Sequence, residues 1–427
     1  MLEVIIFLFI FVGTYLAIFF RPFKLKESYY VLTGIILMLL WGILQLTDIV
    51  NAIVSFDAVE PYAILIFFTA FAVLSAGLDE LGFFEYWSIR VVQAAKHDGL
   101  KLYKYLFVLS ALTSYIAAND IVILTLTPFV LYFAKYTKIK ARGYLLTMFI
   151  VANTASIGQI TSNPTNFIVS MVYKIPFFEN LLIMFLPTLL GLIAIYFILK
   201  KVFYREFKIK FNEKKVDLNK IIKNKYQCRV FYIMLLLLML LFAVAPILKL
   251  QLWVIAVIGT LLAILISGIN PLKLFKHLPW NVILLVTGLF VIVYGFIATG
   301  IFSWLGLYVQ ELVLTGSYFT FVSLSVFVTF FAGIFNNIPV TTILASLSLS
   351  ITSVRQEIVS YALIIGSNVG ANFTILGSLA GIMWFHLIKK KKHHIKLLDF
   401  TKFGLLASIP FIIIVTFVLY IEFWLFF

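Results

Sequence analysis

The chain has 427 residues, 63% of them hydrophobic and only 12% charged, with a mean hydropathy of +1.10 and a formal net charge of +15. That composition excludes a soluble globular or a disordered protein, and the repeated apolar runs of about 18–20 residues have the length that crosses a bilayer core. A lone cysteine, Cys228, excludes a disulfide framework and a thiolate metal cluster.

In chain order, Leu2–Phe20 is the first expected span; it ends in "FFRPFK" without a small-residue cleavage site and so reads as retained, not as a signal peptide. Val31–Val50 and Pro61–Leu78 follow, then "LGFFEYWS" (Leu81–Ser88), which can lie amphipathically at an interface. Tyr105–Ala134 is apolar but interrupted by Asn119, Asp120 and Pro128. Gly143–Val172 carries "NTASIGQITSNPTN" (Asn153–Asn166), and Pro176–Leu199 leads into a basic loop. The second half offers Phe231–Leu248, Leu252–Gly268 and Val282–Thr299, then Tyr318–Ser350, interrupted by "FNN" and Pro339. Ile358–Ile388 carries "SNVGANFTILGS" (Ser367–Ser378), and Phe403–Phe426 is last. The expectation is an all-α polytopic membrane protein with about ten transmembrane helices and two further stretches, 105–134 and 318–350.

Charge sets the expected orientation. With the N-terminus outside, 30 of the 33 Lys and Arg fall in cytoplasmic segments, and only Lys174, Lys249 and Arg355 lie outside. The count works only if 105–134 enters and leaves from the cytoplasm and 318–350 does so from outside, which makes both re-entrant helical hairpins. Both termini are then expected outside a cell (inner) membrane. The basic loops read as topology and lipid contact, not nucleic-acid binding.

The two halves match at nearly the same offset. "LGFFEYWS" resembles "TGIFSWLG" (Thr299–Gly306), and the tips "AND" and "FNN" are separated by 337 − 120 = 217 positions. Two units are expected, 1–200 and 230–427, joined by a basic cytoplasmic linker, 201–229. The first starts outside and the second inside, so they are inverted. Inverted repeats with interrupted helices at matching positions are the architecture of secondary transporters, with the site near the midplane.

The polar residues at these interruptions are the candidate site. Backbone that leaves helical geometry in hydrocarbon must be buried in protein or line a cavity. Asn119, Asn336 and Asn337 can cap the tips. Pro164 removes a helical hydrogen bond beside Ser162, Asn163, Thr165 and Asn166. Asn368, Asn372, Thr374 and Ser378 supply amides and hydroxyls in the second half, where the glycines of Gly366–Ser378 could serve close packing. Asp120 is the sole acid placed at mid-depth, where a carboxylate costs about 2.5–3.5 kcal/mol, and is the expected proton or cation coupling group. The five histidines, His97, His277, His386, His393 and His394, show no metal-ligand spacing with an acid and HExxH is absent, so no metal site and no enzyme chemistry is expected.

On "AANDIVILTLTP", "NTASIGQITSNPTN", "NNIPVTTIL" and "GANFTILGSLAGIMWFHLIKKK" (Gly370–Lys392), over essentially the whole chain, the sequence resembles the arsenite permease (ArsB-type) branch of the ion transporter superfamily. That superfamily also holds Na⁺-coupled dicarboxylate and Na⁺/H⁺ carriers. Where arsenite permeases usually have glycine after the Asn-Asp pair this chain has Ile121, and neither tip supplies the Ser-Asn-Thr of the dicarboxylate branch. The resemblance implies two hairpins framing a substrate site and alternating access against a scaffold. It favours proton-coupled efflux of arsenite or antimonite, with Na⁺-coupled di- or tricarboxylate transport or Na⁺/H⁺ antiport as alternatives, and a non-transporting receptor or scaffold as the rival class. The expected partners are a small inorganic or organic solute and membrane lipids; there is room for a homodimer, and H⁺ or Na⁺ is the only cofactor-like species.

Overall fold

The computed structural model describes residues 2–54, 60–116, 119–137, 139–211, 221–278, 280–301, 317–348, 356–391, 393 and 395–426. Among them the chain is helical, with one isolated bridge between Asp98 and Lys210. Six helices have the length and apolarity to cross a membrane. Five answer expected spans: Leu2–Phe20, Pro61–Glu80, Phe177–Val202, the helix beginning at Lys225, and the helix beginning at Leu397. The sixth, Tyr318–Phe335, is the first arm of the second expected hairpin.

Both expected hairpins are pairs of helices. The first has arms Gly99–Ile116 and Asn119–Thr137, and the second Tyr318–Phe335 and Asn337–Ser348. Between the latter, Asn336 adopts φ 72, and its side-chain oxygen accepts from the Ile338 N–H at 3.3 Å, the Asx geometry that lets a non-glycine residue turn a chain. Both polar spans are broken. Ala141–Ala155 passes through short 3₁₀ turns at Ser156–Gly158 and Ile160–Ser162 before Pro164–Tyr173 begins. Gln356–Phe373 is separated by Ile375–Gly377 from Leu379–Lys390. Residues Gln159, Asn163, Thr374 and Ser378 are extended at these breaks, and Asn163 and Ser378 cap the helices that follow.

Helix packing falls into pairs exchanged between the halves. Each hairpin packs on the first segment of its own broken helix, while Asn119–Thr137 also packs on Leu379–Lys390 and Asn337–Ser348 on Pro164–Tyr173. Phe177–Val202 lies against Leu397–Phe426, Pro61–Glu80 against Leu252–Ser267, and Glu27–Leu40 against Trp280–Ala298. The last contact is polar: Asn281 donates to Glu27 at 2.6 Å and accepts from the Ser28 hydroxyl at 2.7 Å.

Two expectations need correction. Val31–Val50 is not one span: Glu27–Leu40 stops at Trp41, Gly42 turns left-handed at φ 69, and a new helix starts at Leu46. The segment 201–229 is more than a linker. Phe203, Phe207 and Phe211 are buried, Gly99 N–H donates to the Ile209 carbonyl at 2.9 Å, and Phe207 stacks on Tyr103 of the first hairpin at 4.3 Å. Residues 212–220 of that segment, like 349–350 of the second expected hairpin, lie outside the described residues.

The most extensive helix contact among the described residues joins Tyr318–Phe335 to Gln356–Phe373. A Cβ on Gly366 would sit 2.5 Å from the Val328 Cβ and 2.8 Å from the Ser325 carbonyl, and one on Gly370 would sit 2.6 Å from the Ala332 Cβ and 2.9 Å from the Thr329 carbonyl. Glycines four residues apart let two backbones approach where lipid gives little hydrophobic drive for association. Gly370→Val is therefore expected to destabilise the fold by roughly 1–3 kcal/mol. Thermal unfolding of the purified protein in detergent checks this, and an unchanged midpoint would show that the seam can open without cost.

Candidate functional site

The polar residues of the first break meet those of the second broken helix in one buried cluster. Its hub is Asn368, whose Oδ1 accepts from Asn163 Nδ2 at 2.7 Å and from Ser156 Oγ at 2.8 Å. Its Nδ2 donates to Asn166 Oδ1 at 2.6 Å and to the Ile364 carbonyl at 2.8 Å. Asn166 in turn donates to the Ser156 and Gln159 carbonyls at 2.7 and 2.9 Å, adding to the long backbone bonds, 3.4 and 3.3 Å, that these carbonyls accept in the 3₁₀ turns. Asn163 accepts from the Thr165 N–H at 3.2 Å.

A second chain of amides reaches the first hairpin tip. Asn119 Nδ2 donates to Asn153 Oδ1 at 2.9 Å, and Asn153 Nδ2 donates to Asn372 Oδ1 at 3.1 Å. Three segments far apart in sequence are thus joined without a formal charge among these described side chains. Ser162 anchors the same region by donating to the Tyr115 carbonyl, near the end of the first hairpin's leading arm, at 2.9 Å.

The second tip makes its own connections. Asn336 donates to the Leu376 carbonyl at 3.1 Å, and the Thr374 hydroxyl bonds the Gly333 carbonyl. Asn119 and Asn336 are therefore each tied to the broken helix of their own half. Asn337 is buried at the head of the arm that packs on Pro164–Tyr173, and farther along that arm the Ser348 and Tyr173 hydroxyls are hydrogen-bonded. Ser378 is occupied as a helix cap, its Oγ accepting from the Gly381 N–H at 3.0 Å.

Of the expected residues, Asn119, Asn163, Asn166, Asn368 and Asn372 share the central amide cluster, Ser162 and Thr165 border it, and Asn336, Thr374 and Ser378 belong to the second tip and break. The backbone of Asp120 lies in the first turn of the helix begun by Asn119; its side chain lies outside the described residues. Sequence reasoning missed Asn153, Ser156 and Gln159 as members, although all three stand in the quoted Asn153–Asn166 stretch. Their signal was spacing: 153, 156 and 159 recur every three residues on the approach to the break.

Several buried polar atoms here have no hydrogen-bond partner among the described residues: Asn372 Nδ2, Thr165 Oγ1 and Thr161 Oγ1. Such atoms are scarce in folded proteins because each forfeits its hydration. They give the cluster two hydroxyls and one amide with which to meet a solute. The Asn368 bonds carry the cluster, so Asn368→Ala, which strands Asn163 and Asn166, is expected to cost about 1–3 kcal/mol. A thermal midpoint equal to that of the unaltered protein would show that the four bonds carry no weight.

A family model described as a citrate transporter matches residues 14–356 of the chain. The arsenical pump membrane protein of Escherichia coli is 26% identical over 413 residues, which cover 94% of this chain and 95% of that protein. The arsenical pump membrane protein of Yersinia enterocolitica is 27% identical over 357 residues, covering 80% and 82%. Among solved structures, the YdaH transporter of Alcanivorax borkumensis aligns over 88% of both chains with 13% identity and a TM-score of 0.49.

Proposed function

We propose that this chain, which belongs to the citrate transporter family and is a multi-pass membrane transporter, exports arsenite or antimonite as the neutral trihydroxy acid in exchange for protons. The observation that carries this reading is the uncharged cluster. Asn163, Asn166, Asn368 and Asn372 build a cluster with no fixed charge, and Asn372 Nδ2, Thr165 Oγ1 and Thr161 Oγ1 are left at it to meet a neutral polyhydroxy solute. A carboxylate substrate would have to be desolvated there with no described cation to receive it. The names of the relatives above, with their coverage of nearly the whole chain, favour the same solute.

Asp120 is assigned the coupling role on sequence grounds, as the one acid that the span assignment places at depth. Asn119 beside it is bonded to Asn153, which links this tip through Asn372 to the second half. The architecture proposed with this is two inverted units, 1–200 and 230–427, with hairpins entering from opposite faces and both termini outside an inner membrane. The exchanged packing of the two hairpins, each against the far broken helix, supports that symmetry.

Na⁺-coupled citrate or other carboxylate transport is the second reading, and the family model's description favours it. Everted vesicles separate the two. Arsenite is expected to accumulate when the lumen is acidic and to stop on addition of a protonophore. Accumulation of citrate on a Na⁺ gradient with no arsenite movement would favour the second reading and sink the first. Asp120→Asn should abolish proton-driven accumulation at undiminished membrane abundance, because the amide keeps the volume but cannot titrate. Transport at the unaltered rate would exclude Asp120 as the coupling group.

Orientation has its own test, on a Cys228→Ser background. Ser317→Cys should react with an impermeant thiol reagent in intact cells, and Lys101→Cys only in everted vesicles. The opposite pattern would refute the proposed hairpin entries.

A further inference from the structure

We propose that a groove between the helix Phe83–Ala94 and the leading arm of the first hairpin, Gly99–Ile116, binds one anionic phospholipid. The groove holds about 580 Å³. Its walls are largely hydrocarbon: Trp87 and Val91 come from the short helix, and Val108, Leu109 and Leu112 from the arm. Trp87, Val108 and Leu112 are 45%, 44% and 58% exposed, so the groove opens on the outer surface of the molecule and is not part of the buried amide cluster.

The polar component of the groove is distinctive. Arg90 lines it, is exposed, and holds its guanidinium over the Tyr86 ring at 5.6 Å, with Nε donating to the Tyr86 hydroxyl at 3.1 Å. Among the described residues Arg90 makes no ion pair, whereas Arg21, Arg142 and Lys223 each meet a carboxylate. On the arm, Lys104, Val108 and Leu112 recur every four residues and so share one stripe, with Lys104 exposed. That stripe passes from a cation to hydrocarbon within two turns.

This order of chemistry selects the occupant. A free phosphate would meet Arg90, with Lys104 one turn before the lining Val108, but leave the apolar walls bare. A neutral lipid would cover the walls and leave the cations unmatched. An anionic phospholipid satisfies both, with its headgroup at the basic end and an acyl chain along Val108 and Leu112, as basic residues beside a bilayer attract anionic headgroups. The arm it would touch ends at Ile116, and Tyr115 on that arm accepts from Ser162 of the first break, so the lipid would bear on a helix connected to the amide cluster.

Native mass spectrometry of the delipidated full chain in detergent tests this, with phosphatidylglycerol and phosphatidylcholine of matched acyl chains as probes. Phosphatidylglycerol is expected to bind at one per chain and about fivefold more tightly than phosphatidylcholine. Arg90→Gln should weaken it by about the same factor. Val108→Trp, which fills the groove and keeps Arg90, should also weaken it, while Lys201→Gln, a basic residue outside the groove, should not. Unfolding temperatures near that of the unaltered protein establish that each variant is folded. Equal affinity for the two lipids, or unaltered binding by both groove variants, would overturn the proposal. So would inorganic phosphate binding as tightly as the lipid, or a two-chain mass abolished by Val108→Trp, which would give the groove to a second copy.

Discussion

A helix that breaks inside hydrocarbon exposes N–H and C=O groups that have no water to meet, and these must be paired within the protein. In this chain the pairing falls to asparagine. An amide side chain is donor and acceptor at once, so one residue can close a backbone gap and bond a second amide without bringing a charge. Asn166 reinforces the Ser156 and Gln159 carbonyls, whose backbone bonds are long, while accepting from Asn368. Replacing such a group by a carboxylate or an ammonium would carry the insertion cost of a charge. The uncharged character of the cluster and its position at the breaks have one physical origin.

The surrounding packing holds these breaks in register. Pro164–Tyr173 is pinned from the other side by Phe167, which stacks on Phe67 at 4.1 Å with the rings nearly parallel. Gly366 and Gly370 bring Gln356–Phe373 against the second hairpin closely enough for the Asn336 and Thr374 bonds to form. At the basic end, Arg142 joins Glu206 at 2.5 Å and Asp399 at 3.2 Å, tying the start of the first broken helix to the segment after Phe177–Val202 and to the last helix. These exposed pairs contribute about 0–1 kcal/mol each, so the glycine seam and ring stacks carry more of the rigidity.

Much of this was legible because polarity is conspicuous in an apolar chain. Asn119, Asn163, Asn336 and Asn368 stand out by their cost, and Asn119 and Asn336 stand where each apolar stretch divides into two helices. Hydropathy could not see what costs nothing in apolar terms. The break after Leu40 lies in "LWGILQ", where only Gly42 signals a left-handed helix end. The docking of 203–211 was hidden in a basic run, although Phe203, Phe207 and Phe211 recur every four residues. Nor does a sequence say which amide bonds which: Asn153 and Ser156 read as polar residues of a broken span until Asn372 and Asn368 are placed beside them.

A solute seated in the amide cluster stabilises the fold through those side chains. A solute that binds the folded state raises the unfolding temperature as its concentration exceeds its dissociation constant. Purified protein titrated with arsenite is predicted to show this rise. A variant carrying Thr165→Val and Asn372→Ala removes the Thr165 hydroxyl and Asn372 Nδ2, neither of which has a partner among the described residues, together with the Asn372 Oδ1 that accepts from Asn153; it is predicted to fold, because Asn153 keeps its bond to the Phe149 carbonyl, and to lose the rise. An equal rise in both proteins would place the solute elsewhere and contradict the account.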